Sequence, residues 1–178
     1  MSHAETADAA SRLCKACGLC CNGVLFQIVR LQPADSAREL EALGMNVSRK
    51  KREPYFKQPC GFLKEDSCRH YAARPLRCRL FACRQLRLLA EGEVTEDDAM
   101  HTIADAKRKV AGIEALLTEA GNTAVHLPLT ERYEQVLAAA DCAGVKAGSG
   151  DLVRAMIDLR RVLGTSFRME ADDPAGAK

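Results

Sequence analysis

Four cysteines fall within eight positions, at Cys14, Cys17, Cys20 and Cys21, and four more follow at Cys60, Cys68, Cys78 and Cys83. Nothing else in the 178-residue chain constrains its folding as strongly. Buried cysteine is ordinary one residue at a time, but eight between positions 14 and 83 require a shared explanation. Such a density reads either as a disulfide framework in an oxidising compartment or as thiolates gathered around metal. The opening segment MSHAETADAASRL contains Glu5 and Asp8 and no apolar h-region, so no signal peptide is expected. No stretch approaches the roughly 18 apolar residues needed to cross a bilayer. The sequence is therefore read as cytosolic, where thiols stay reduced, and its cysteines as metal ligands or reactive thiols.

Spacing narrows the chemistry. In C-x2-C-x2-C each two-residue spacer makes a tight turn, so three thiolates can wrap one small centre, and Gly18 lets the backbone curl closely. Bacterial ferredoxins use this spacing for three ligands of a [4Fe–4S] cluster. Here the fourth cysteine follows at once and no proline follows Cys21, so the match is partial. Neighbouring side chains of an extended segment point to opposite sides. Cys20 and Cys21 are accordingly read as serving two metals, or one polynuclear cluster and something beside it. The second group, Cys60-x7-Cys68-x9-Cys78-x4-Cys83, lacks the C-x2-C knuckles that structural zinc sites commonly supply. Ligand spacing thus favours an iron–sulfur cluster, of [4Fe–4S] type, over zinc. Cys142, alone in AAADCAGV, is read as a packed core thiol.

From Cys68 to Arg87 the chain carries six arginines and no acidic residue. A centre with four thiolate ligands keeps net negative charge. Guanidinium groups beside it would offset that charge, donate to sulfur and raise a cluster's potential. The basic loop Arg49, Lys50, Lys51 and Arg52 could extend the patch towards an anion, but no interleaved aromatic pattern supports nucleic-acid binding. The net charge of +2 is too small to imply a polyanionic partner. His70 could be a ligand, though with eight thiolates at hand packing or hydrogen bonding is the preferred role. His3, His101 and His126 are scattered and uninformative.

The chain divides by composition. Residues 1–90 form a cysteine-cluster region, and residues 91–178 read as a helical region packed against it, with a disordered C-terminal tail. In the first region Gly23–Leu31 is expected to be a short strand, and Pro33 to open a helix that Gly44 stops. Ser48–Glu53 reads as an exposed loop, and Pro59–Arg74 as irregular chain leading into a short helix. In the second region Thr95, Thr130 and Asp151 are the expected helix caps, with Gly121 and Gly164 as stops. The apolar stripes, for instance Ile103, Val110, Ile113 and Leu117, are read as core. The expected fold is mostly α with a small irregular α+β metal-binding core. A core that small supplies only about 3–5 kcal/mol, whereas structural zinc contributes roughly 10–16 kcal/mol in its folded site. The cysteine region is expected to depend on metal.

These residues together resemble the CxxCxxCC (YkgJ-type) family of zinc- or iron-chelating cysteine clusters. The likeness is carried by Cys14, Cys17, Gly18, Cys20 and Cys21, by Val29–Leu31, by CGFL at Cys60–Leu63, and by CRHYAARPLRCRLFAC from Cys68 to Cys83. It covers about residues 14–83. Tyr71, Arg74, Pro75, Arg79 and Phe81 stand at the family's usual non-cysteine positions. The chain departs in having Ala82 where proline is common, and Arg69-His70 where an apolar residue often precedes the tyrosine. The resemblance implies metal chelation by all eight cysteines, with Arg74 and Arg79 the arginines assigned to the bound group. A similar cysteine cluster looks to be present in flagellin lysine methylases, but this chain shows no recognisable S-adenosylmethionine motif.

Three functions compete at this stage. The first is an iron–sulfur protein in electron transfer, sensing or support of modification chemistry. The second is a zinc-stapled module whose helical half binds a protein partner. The third is thiol chemistry or metal trafficking. No general base, nucleophile dyad or phosphate loop marks an independent enzyme, and neither nucleic acid nor membrane is an expected partner.

Overall fold

Alanine and leucine patterning after residue 90 becomes helix in the computed structural model, which describes residues 3–50, 52–65, 67–143 and 149–169. Among the described residues there are seven α-helices and two small antiparallel sheets, so the fold is mostly α with a small β component. No helix among them is long and apolar enough to cross a membrane. The tail reading for residues 170–178, and Lys51 of the basic loop, lie outside the described residues.

The longest element is α5 (Glu96–Glu119). Thr95 caps it in a reciprocal box: its hydroxyl accepts from Asp98 N–H, and the Asp98 carboxylate accepts from Thr95 N–H. Ala99, Ile103, Ala106, Val110, Ile113 and Leu117 are buried at alternating steps of four and three, one continuous helix face. Against this face packs α7 (Ser149–Ser166), through Leu152, Met156, Leu159 and Leu163. The helix α1 (His3–Cys17) packs on α5 as well, through Ala9 and Leu13. Its Arg12 makes a two-pronged ion pair with Glu96 at 2.7 Å, but the arginine is exposed and the pair contributes little. The helix α6 (Leu129–Ala143) adds Leu129 and Tyr133 to the same core. Gly23, at φ +86°, lets the chain pass under its start, where a Cβ would lie 2.9 Å from Pro128 Cα.

A second, smaller core lies in the cysteine region. Strand β1 (Ile28–Arg30) pairs with β2 (Tyr55–Lys57), with Val29 opposite Phe56. Both side chains are buried with Leu31, Leu40 of α2 (Ala37–Ala42), Met45, Val47 and Phe62. A hairpin of β3 (Leu63–Lys64) and β4 (Ser67–Cys68) follows, with a 3-10 turn at Tyr71–Ala73. Helices α3 (Leu76–Leu80) and α4 (Arg84–Glu91) then lead into α5.

Several local expectations change. The N-terminal segment, to which the sequence reading assigned no element, is helix and carries the first two cysteines in its last turn. Only Ile28–Arg30 of the expected strand is paired. Helix α2 begins after Ser36 rather than at Pro33, because Ser36 Oγ accepts from Glu39 N–H. Thr130 and Asp151 sit inside α6 and α7 instead of capping them. Gly164 does not stop α7, which continues to Ser166 and seats Phe167 in the core. Ile157 of α7 is exposed, whereas Met156, Leu159 and Leu163 of the same helix are buried.

Candidate metal centre

Cys14 and Cys17 sit three residues apart in the last turn of α1, so both thiols share one helix face. The first spacer is therefore a helical turn rather than a separate tight turn. Gly18, at φ +66°, ends the helix, and its carbonyl accepts from the N–H groups of Cys21 and Asn22 at 2.8 and 3.0 Å. Cys20 and Cys21 occupy the resulting turn, and both of their carbonyls are held. Gln58 Nε2 donates to the Cys20 carbonyl at 3.0 Å, and Cys60 N–H donates to that of Cys21 at 2.7 Å.

The remaining cysteines are placed by contacts between distant parts of the chain. Cys68 lies on β4, opposite Leu63. Cys78 is in the middle of α3, whose first free N–H, that of Leu76, is accepted by Asp35 Oδ1 at 2.7 Å. Cys83 precedes α4. The end of α7 fixes it there: the Phe167 carbonyl accepts from Arg84 N–H at 3.1 Å, and the Ser166 carbonyl accepts from Gln85 Nε2 at 2.8 Å.

All eight thiols line one cavity of about 200 Å³ whose remaining walls are mostly apolar, among them Leu13, Phe26, Phe56 and Phe62. Lys15, Gln58, Arg74 and Arg77 contribute the polar edge, and no carboxylate or imidazole is on the wall among the described residues. Burial is the first cause of the thiols' behaviour. It pushes Cys17, Cys21 and Cys78 up to about 12 and raises Cys14, Cys60 and Cys83, with Cys20 well above its ordinary range. Neighbouring thiolates push in the same direction, while Arg74 acts against the rise at both Cys14 and Cys78 and Lys107 acts against it at Cys17. The start of α4 opposes the rise at Cys83 through the N–H groups of Leu86 and Gln85.

The donor set suits a thiophilic metal. Soft thiolates with no hard oxygen donors on the wall fit zinc or iron–sulfur centres. Gln58 is 3% exposed and its Oε1 has no partner, an orphaned acceptor beside the Cys20–Cys21 turn. Among the described residues no three Cys, His, Asp or Glu side chains converge tightly enough to hold a single ion directly. The thiols instead stand around the cavity wall.

Other assignments from sequence divide. Arg74 is at the cavity, but Arg79 is exposed and absent from its wall, where Arg77 stands instead. His70 packs on Phe62 with ring centroids 4.6 Å apart, the packing role preferred for it. Cys142 is exposed on α6 and is not a core thiol. The alanine-rich run around it suggested burial, but the core contacts of α6 are made by Leu129 and Tyr133 instead. Arg77 was read as one of the six arginines from Cys68 to Arg87, whereas Gln58, Lys15 and Lys107 went unread. Nothing in their local sequence marks them, because each reaches the cysteines from a separate element or a different helix face.

Fold and site together define a small, mostly helical protein whose cysteine-rich region gathers thiols about one pocket. The chain belongs to the CxxCxxCC family, whose model, described as a "putative zinc- or iron-chelating domain", matches residues 13–106, more than half of the chain. The match extends beyond residues 14–83, through α4 and into the first half of α5. No curated protein and no solved structure matches the chain.

Proposed function

We propose that this chain is an iron–sulfur protein whose [4Fe–4S] ligation is drawn from Cys14, Cys17, Cys20, Cys21, Cys60, Cys68, Cys78 and Cys83, with a redox, sensing or accessory role. The observation that carries this reading is the arrangement of all eight thiols around one apolar cavity of about 200 Å³. A zinc ion draws its sulfurs to about 2.3 Å from a single point, whereas a polynuclear centre fills a space between them. When bound, such a cluster supplies one-electron redox chemistry whose potential depends on charge, hydrogen bonds and exposure. The chain's own contributions follow from its residues. The cysteines ligate once deprotonated, and the apolar wall keeps water from the sulfurs. Arg74, near Cys14 and Cys78, offsets negative charge.

A zinc-stapled interaction module is the second reading. Its support is the small core of seven buried side chains, against which Cys60, Cys68 and Cys78 pack. A core of that size commonly needs a staple. Anaerobic purification followed by metal and sulfide analysis and a visible spectrum separates the two. A brown protein with iron and acid-labile sulfide in equal amounts is the expected result. A colourless protein with tightly held zinc would replace it with the structural module.

A further inference from the structure

The cysteines do not surround the cavity as one undivided set. Cys17, Cys20 and Cys83 pack against the large helical core, whereas Cys60, Cys68 and Cys78 pack against the small core of the β1–β2 region. Cys14 joins the first three because it lies one helical turn before Cys17 on α1. Cys21 joins the other three through the hydrogen bond from Cys60 N–H to its carbonyl.

We infer that the eight cysteines form two four-thiolate metal sites, Cys14–Cys17–Cys20–Cys83 and Cys21–Cys60–Cys68–Cys78, adjoining across the Cys20–Cys21 peptide. This rests on the metal-binding reading above and suits iron–sulfur centres as the thiols stand, whereas a single ion such as zinc would draw the four sulfurs of a set inward. The chain order supports it on chemical grounds. Three ligands from a C-x2-C-x2-C run with a fourth from far along the chain is a recurrent way to close one tetrathiolate centre, and the next cysteine in line then serves a neighbouring centre. The turn at the junction is held on both carbonyls, by Gln58 and by Cys60, and the second bond ties Cys21 to the segment that carries Cys60. Arg74 stands on the shared cavity wall, placed to offset charge at both centres.

The test uses the full chain, purified anaerobically, as wild type, Cys17→Ser, Cys68→Ser and the double variant. Metal per chain, and sulfide where present, is measured on each. Each single variant is expected to lose half of the wild-type metal, and the double variant all of it. Complete loss in either single variant, or no loss in one of them, overturns the partition. As a check independent of variant folding, metal-free wild type is titrated with Co2+ under reducing conditions. The thiolate charge-transfer absorbance is expected to rise to two equivalents, and a break at one equivalent overturns the partition. A wild-type chain that takes up neither iron with sulfide, nor zinc, nor Co2+ sinks the metal-binding reading itself, a result distinct from the others.

Discussion

The guanidinium carbon of Arg74 lies 3.4 Å from the centroid of the Tyr71 ring, and Arg74 Nε donates to the Tyr71 carbonyl at 2.8 Å. The tyrosine is tied in turn to α1, since its hydroxyl is 3.4 Å from Ser11 Oγ and Lys15 Nζ is 5.1 Å from the same ring. This stack holds a fixed positive charge between α1, which carries Cys14, and α3, which carries Cys78.

Replacing Arg74 tests that placement. Arg74→Leu removes a cation that stabilises the more negative, reduced state of a thiolate-ligated cluster, so the midpoint potential is expected to fall. Loss of the stack should also cost about 1 kcal/mol of stability. Arg74→Lys keeps the charge and should retain most of the potential. Redox titration and denaturant melts check both effects, and an unchanged potential at full metal content would separate Arg74 from the centre.

Removing metal should affect the two cores unequally. The helical core, with α5 packed on α7 and α1, draws its stability from burial that needs no ligand. The small core has seven buried side chains and packs on three of the candidate ligands. Chelation is therefore expected to leave far-UV helix largely intact while residues 27–80 become open to proteolysis and hydrogen exchange. Equal protection of both regions after chelation would show that the small core stands without its staple.

Metal loading should depend on pH with a definite sign. Burial holds the Cys17 thiol, on α1, at about 12, so at neutral pH it is protonated in the metal-free fold. Ligation requires the thiolate, so loading releases protons and apparent affinity weakens as pH falls. For the metal-free fold, a thiol pKa raised above the usual 9.0 contributes stability that is complete below that value. This contribution is lost as pH rises from 9.0 towards about 12. Calorimetric titrations in buffers of different ionisation enthalpy should show proton release, and thermal melts of the metal-free chain should fall in the alkaline range.

Cys142 should behave unlike the other eight cysteines, being exposed on α6 and away from the cavity wall. In the metal-loaded protein one thiol, Cys142, is expected to react with iodoacetamide, identified by peptide mass mapping. Cys142→Ser should leave metal content unchanged. A loss of metal in that variant would assign Cys142 to a centre.

Much of the fold was readable because its causes are local. The Thr95 box joins residues three apart, and the buried face of α5 follows from steps of three and four. The stops at Gly44 and Gly121 are equally local, since both adopt positive φ at a helix end. The end of α1 is not marked by its local sequence, because a C-x2-C spacing fits a helical turn and a tight turn alike. Asp151 was misread as a cap, because a side chain that favours helix ends cannot show on its own whether the chain before it is already helical.

The candidate site divides along the same line. Sequence alone determined that eight cysteines of a shared spacing pattern form a metal-chelating set of soft thiolates, whereas the extended backbone it assumed at Cys20 and Cys21 is a turn. Tertiary structure decided which thiols keep company. Cys83 joins Cys17 and Cys20 on the large core because α7 returns to fix Arg84 and Gln85, more than 80 residues away in the chain. It likewise brought Arg74 and Arg77 to the cavity wall while leaving Arg79 exposed, and set Gln58 beside the Cys20–Cys21 turn. The physical reason is range. Caps and helical stripes are set by neighbours within a turn, whereas the surroundings of a thiol depend on packing between elements far apart in sequence, which no local pattern records.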